Sequence, residues 1–277
     1  MIAEVFAQAT EALQFSFIQR ALLAGSLVAV SCALLGVFLV LRRFSMIGDG
    51  LGHVSFGAIG LALMLGLHPV YASIPVVLLG SLWIMRLAGR SGVQGDAAIG
   101  LTSAMGVATG MMLAGIGGGF NVDLFSYLFG NILVISATEV WLSLVLTVVV
   151  LLAVVLFYHD LFVIAFEEDS AQVLGVAADR VNTLLVLCTA LTVVLSIRIV
   201  GILLVSSLII MPGVAALRVA SGFRSTLLLA VVFSLFSVWI GILVSYLLDL
   251  PAGATIVFVN FFFFLGALLV GRLGARG

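Results

Sequence analysis

The chain has 277 residues, 64% of them hydrophobic and 8% charged, with a mean hydropathy of +1.41 and a formal net charge of −1. Soluble domains carry about 25% charged residues, so this composition excludes a water-soluble fold, and the near-zero charge excludes a general basic field for nucleic acid. What remains is one all-α domain, residues 1–277, that crosses a membrane many times.

Residues 1–19 read as a weakly amphipathic, interfacial lead-in, with Phe6, Leu13, Phe15, Phe17 and Ile18 among polar positions. No secretory signal with a small-residue cleavage site is read there. A helix crosses the hydrocarbon with about 20 apolar residues. Spans are expected at Ala21–Leu41, Val54–Leu67, Pro69–Met85, Ala97–Ile116, Glu139–Phe157, Val181–Ile197, Ile199–Leu217, Thr226–Leu248 and Ala252–Gly271. The second must borrow residues from Ile47 onward, and the sixth and seventh are parted by Arg198 alone, which implies a tight turn there. The expectation is a polytopic bundle of eight or nine spans.

Between Gly117 and Ser136 the run "GGGFNVDLFSYLFGNILVIS" is too interrupted for a span and too apolar for a solvated loop. A half-helix or re-entrant piece fits, provided protein or a water-filled cavity covers its backbone. The arginines group at Arg42–Arg43, Arg86–Arg90, Arg180, Arg218–Arg224 and Arg272–Arg276, which places those loops in the cytoplasm; Arg20 and Arg198 fall on the other side. The stretch "AAIGLTSAMGVATG" offers small residues for close helix contact, either in ordinary bundle packing or around a pathway. Cys32 and Cys188 lie in apolar runs and read as small core residues. Pro212 and Gly213 interrupt a span, where proline removes a backbone bond and marks a kink or hinge. Asp249, Pro251 and Gly253 read as an outer turn before the last span. His68 is placed in a loop and His159 at a cytoplasmic helix end; neither is expected to be a core ligand.

Two stretches carry chemistry. In "RRFSMIGDGLGHVSFGAIG", Asp49 and His53 stand four apart, so on a helix they share one face. A carboxylate within a membrane helix costs between ~3 and ~10 kcal/mol, so it needs a partner. Oxygen with imidazole nitrogen suits a divalent first-row metal. The pair equally suits a proton relay, and the plain alternative is Asp49 as a helix cap with His53 as a polar core residue. The glycines at 48, 50, 52, 57 and 60 leave the site uncrowded and allow a loop-like helix start. One pair supplies two ligands where zinc wants about four, so a second copy of the chain, or other groups, must complete the set.

The second stretch is "FVIAFEEDSAQVLGVAADR", residues 162–180, with Glu167, Glu168 and Asp169 ahead of a short helical pattern. The acids favour the positive end of a helix dipole, Ala171 and Leu174 give it an apolar side, and Gly175 suits its C-terminus. The reading is an amphipathic cytoplasmic docking helix, or else a plain connecting loop.

Together these runs resemble the membrane permease subunit of ABC importers for zinc, manganese and iron-type metal ions, from about Ala21 to Arg272. The resemblance is carried by "LGVFLVLRRFSMIGDGLGHVSFGAIGLAL", with its basic residues and G-D-x-x-x-H, by "GDAAIGLTSAMGVATGMML", "LFSYLFGNILVIS", "AFEEDSAQVLGV" and "IRIVGILLVSSLIIMPGVAAL", in that order. It implies a type II importer-like fold in the cell (inner) membrane and a metal route through Asp49 and His53. It also implies a coupling segment around Glu167–Gly175 that docks on a cytoplasmic ATPase. The partners it implies are a second copy of the permease, two ATP-binding subunits and an external metal-binding protein. The cargo is zinc first, with manganese or iron as alternatives, and no cofactor is held permanently. Where the family commonly has D-P-E, this chain has Glu167, Glu168 and Asp169, without proline. No G-x-x-x-x-G-K-[ST] loop is present, so the chain is not expected to hydrolyse ATP itself. The rival functions are a proton-coupled secondary carrier using Asp49 and His53 as its relay and, well behind, a membrane metalloprotease, which needs a histidine spacing absent here.

Overall fold

The computed structural model of the chain describes residues 11–90, 93–116, 124–131, 135–166, 177–202 and 204–274. In these residues every regular element is a helix. In chain order they are α1 (Ser16–Leu41), α2 (Ile47–Met64), α3 (Pro69–Arg90), α4 (Gly95–Ile116), α5 (Leu124–Phe129) and α6 (Ala137–Leu156), then α7 (Tyr158–Phe166), α8 (Ala178–Val200), α9 (Val205–Val219), α10 (Phe223–Leu248) and α11 (Ala252–Gly274).

Eight of these, α1 to α4, α6, α8, α10 and α11, are long and apolar enough to cross a membrane. The helix α9 has 15 residues. At ~1.5 Å per residue it rises about 22 Å, short of the ~30 Å hydrocarbon thickness, so it is too short to cross alone.

Burial sorts the helices. The most apolar windows of α1, α2 and α8 are 72%, 67% and 67% buried, so these form the interior, whereas the α4 window is 17% buried and lies on the perimeter. The α1 helix is the hub, packed against α6, α9 and α10 as well as α8. Its Gly36 meets the carbonyl oxygen of Ile209 so closely that no Cβ fits. Small residues at such crossings let helix backbones approach and gain dispersion contacts, which matter in lipid because burial of apolar surface no longer drives association. Hydroxyls add specific links: Thr147 Oγ1 donates to Leu27 O at 2.9 Å, and Ser234 Oγ donates to Ala29 O at 3.1 Å.

The arginine-bearing ends gather on one side. A Cβ on Gly271 would stand 2.9 Å from Arg218 O, Arg224 lies over the Tyr158 ring at 5.9 Å, and Arg42 Nη1 donates to Ile164 O at 3.0 Å. This is the arrangement expected of the cytoplasmic face.

The expected turn at Arg198 is displaced. The α8 helix runs through that residue to Val200, and the chain breaks at Gly201, whose φ of +91° only glycine adopts readily. Part of the 117–136 segment forms α5, the short helix expected there. Its backbone is covered by protein: Ile202 N–H donates to Tyr127 O at 2.9 Å, and Gly130, at φ +75°, abuts Ile199 O. Gly253 at the start of α11 closes the same junction against Val200 O. Each of these glycines stands where a side chain would strike a neighbouring backbone, and such close cover makes irregular backbone tolerable at membrane depth. The outer turn is as expected, with Asp249 capping α10 at φ +51° and Ser245 Oγ donating to Leu250 O at 2.6 Å.

Candidate metal site

The α2 helix begins at Ile47, so Asp49 sits in its first turn and His53 one turn further on. The loop-like start expected from the glycines does not occur. Those glycines are buried, and they serve helix contact instead. Gly48 faces Ser206 and Ile209 of α9, and Gly52 faces Ile202 O at 3.1 Å from its Cβ position. On the other side Gly50 faces Ile99, Gly57 faces Gly106 O at 2.7 Å, and Gly60 faces Gly110 of α4. The α2 helix is thus packed closely between α9 and α4. Asp49 is not a cap either: the N-cap is Met46, which makes no side-chain capping bond.

His53 Nε2 lies 3.5 Å from Asp49 Oδ2, with side-chain exposures of 25% and 34%. Two donors at that separation can share one ion. With bonds of about 2.1 Å to each, the angle at the ion is about 110°, near the tetrahedral value. Asp49 also lies in the N-terminal turn, where the helix dipole favours its anion.

The surroundings define a stripe. Leu51, Val54, Ser55, Ala58 and Ile59 are all buried, while Met46 is exposed and Asp49, His53 and Phe56 are half-buried on a face that the described residues cover only in part, Phe56 with its ring against Gly110 of α4. Beside it, α4 exposes Ala97, Gly100, Ala104 and Ala108 together with Met105, which is 62% exposed. Among the described residues no group of three or more His, Cys, Asp or Glu side chains is placed to hold a metal. One chain therefore contributes a pair of donors on a partly covered face.

Other expected positions are placed as follows. Pro212 and Gly213 lie within α9, both buried, with a Cβ on Gly213 reaching 3.3 Å from Val37 N of α1. Residues Glu167, Glu168, Asp169, Ala171, Leu174 and Gly175 lie outside the described residues. His68 is exposed before α3, with its ring 4.6 Å from that of Tyr71, and His159 is in α7; neither is near Asp49 in the chain or shares its helix. Sequence reading missed the contact of Phe56 with Gly110 and the backing of α4 against His53. The spacing of Gly106 and Gly110, two small residues four apart, was the available signal.

A helical bundle with eight helices long and apolar enough to cross a membrane defines a class, the multi-pass membrane protein. Comparison with known proteins narrows it. The chain belongs to the ABC 3 transport family, which it matches over residues 14–271. It is 35% identical over 250 residues to a "Probable metal transport system membrane protein" of Treponema pallidum, covering 90% of this chain and 93% of that one. It is 33% identical over 247 residues to the "Manganese transport system membrane protein MntC" of Halalkalibacterium halodurans, covering 89% and 85%. Among solved structures it resembles PsaBC from Streptococcus pneumoniae, determined in complex with Fab, with a TM-score of 0.83 and 30% identity over 96% of this chain and 95% of that one. A putative metal-chelate type ABC transporter in an inward-facing conformation shares the fold, with a TM-score of 0.67 at 18% identity over 94% and 86%.

Proposed function

We propose that this chain is the permease of an ATP-driven importer that passes a divalent first-row transition metal through the membrane. The ion crosses between two copies of the chain, and Asp49 and His53 of each copy form the intramembrane stopping place. The observation that carries this reading is the 3.5 Å Asp49–His53 pair on a face of α2 that the described residues cover only in part. Lipid is a poor cover for a carboxylate. A second copy presenting the same face doubles the donors from two to the four that a tetrahedral ion takes. The small-residue face of α4 beside the pair suits such close contact.

The cargo is manganese or zinc, with iron as the third candidate. The relatives named for manganese favour the first, and the near-tetrahedral angle suits the second. Energy comes from two cytoplasmic ATP-binding subunits that engage residues 167–175, since the chain carries no phosphate-binding loop of its own. Delivery is by an external metal-binding protein, and Pro212 and Gly213 allow α9 to bend as the bundle changes its open side.

The test is cation uptake by cells lacking their own importer. Asp49→Asn and His53→Ala are expected to reduce uptake to below about a tenth of wild type, since losing even a supporting contact of a metal ligand costs ~10–100-fold. Membrane abundance is expected to be unchanged. Normal uptake by both variants excludes the metal route. Uptake that persists without any ATP-binding subunit points instead to a proton-coupled carrier.

A further inference from the structure

We propose that Arg42 is a positioning residue that couples the end of α7 to the helix bearing Asp49 and His53. This rests on the reading above, in which residues 167–175 dock on the ATP-binding subunit.

The last carbonyls of a helix lack partners within it. Ile164 belongs to the last turn of α7, and its carbonyl oxygen accepts from Arg42 Nη1 at 3.0 Å. The cationic donor lies at the negative end of the α7 dipole, which strengthens the bond and gives it a direction. At the other end of its side chain, Arg42 is the C-cap of α1, with its own N–H donating to Phe38 O.

The chain then turns into α2 with little slack. Arg43 N–H donates to Val40 O at 3.2 Å, Phe44 N–H to Leu39 O at 2.9 Å, and Ile47 N–H to Phe44 O at 3.0 Å. Arg43 is held at φ +60°, a left-handed conformation that sharpens the elbow. Phe44 also presses on the first residue of α4, its ring 3.2 Å from the Cβ position of Gly95. The elbow therefore touches both helices that frame the donor pair, α2 which carries it and α4 which backs it.

Phe223 of α10 gathers Phe38, Phe162 and Phe166 with ring centroids 5.6, 5.0 and 6.0 Å away, and Leu161, Ile164 and Ala165 are buried, so α7 is seated on the bundle by one packed face. On its other flank an open cleft of about 740 Å³ is lined by Arg42, Met85, Ala88 and Ala165 among others. The open side of α7 faces this cleft, and a shift of its final turn would carry the Arg42 guanidinium with it.

The experiment uses the permease assembled with its ATP-binding subunit in proteoliposomes, with manganese and zinc as probes and uptake and ATP hydrolysis measured on the same vesicles. Arg42→Ala is expected to lower metal uptake per ATP hydrolysed at least tenfold. Hydrolysis is expected to stay within twofold of wild type, with the ATP-binding subunit co-purifying at the wild-type ratio. Arg42→Lys, which keeps one charged donor within reach of Ile164 O, is expected to restore part of the ratio. An uptake-to-hydrolysis ratio within twofold of wild type in Arg42→Ala overturns the proposal. A parallel loss of uptake, hydrolysis and co-purification in both variants also overturns it, because Arg42 then only supports assembly. Absence of ATP-dependent uptake in the wild-type vesicles would instead remove the importer reading itself, and this inference with it.

Discussion

The carbonyl oxygen of His53 lies 2.6 Å from the position that a Cβ on Gly106 would occupy, so the backbone of α4 rests directly on the residue that supplies the imidazole of the donor pair. At the same crossing a Cβ on Gly57 would stand 2.7 Å from Gly106 O. Neither helix can carry a larger residue there without moving apart. Gly106→Ala is therefore expected to displace α4 and tilt His53. A shift of about 1 Å in a positioned group can cost ~10²-fold in function. Metal uptake is expected to fall at least tenfold with protein still in the membrane, and full uptake by this variant would show that α4 does not set the geometry of His53.

Arg43 is exposed and occupies the position after α1 where helices commonly end on glycine. A non-glycine residue in that left-handed conformation costs about 1 kcal/mol. Arg43→Gly is expected to raise the midpoint of thermal unfolding in detergent by a few degrees, and Arg43→Val, whose branched side chain fits worse, to lower it. The reverse order would mean that the arginine side chain holds the elbow by contacts that outweigh backbone strain.

Asn260 is 1% exposed between α10 and α11. Its Oδ1 accepts from Ser237 Oγ at 2.8 Å, yet its Nδ2 has no hydrogen-bond partner. Leaving a buried donor unmet costs about 1–3 kcal/mol. Ser237 Oγ is also 2.8 Å from Phe233 O, so it keeps an acceptor if the amide is removed. Asn260→Leu, close in shape, is expected to leave the melting midpoint unchanged or raise it slightly. A fall of more than about 2 kcal/mol would indicate that the amide binds a buried water or moves to a partner in another state.

Residues Glu167, Glu168 and Asp169 carry the proposed docking charge. Changing all three to alanine is expected to weaken co-purification of the ATP-binding subunit at least fivefold and to make the residual association less sensitive to salt, because exposed charge pairs are screened. Unchanged co-purification would place the docking surface elsewhere.

Some of these relationships were legible before any fold was known. Asp49 and His53 share a face because the helical repeat brings residues four apart together, a local rule that needs no tertiary information. The length of α2 was equally readable, since Val54–Leu67 alone is too short to cross and Ile47 is where the apolar run extends. The break after α8 was not. Arg198 looked like the interruption because it is charged, but charge does not bend a helix; Gly201, one turn later, supplies the left-handed backbone that does. The glycines of α2 were misread for a related reason. Sequence shows that they lack side chains, and only the neighbours show that the vacant space is filled by Ile202, Ile209, Ile99 and Gly106.

The sequence by itself determined that the chain lives in lipid, about how many times it crosses, and that an acid and an imidazole are neighbours within it. Hydropathy and helical period are properties of consecutive residues, so they survive without a fold. The tertiary structure alone decided that the pair lies on a partly covered face of an otherwise buried helix, that α4 backs His53, and that Arg42 reaches Ile164. Those facts depend on which helices meet across long stretches of chain, and that is settled by the fit of small residues and hydroxyls at the crossings, a fit that hydropathy does not encode.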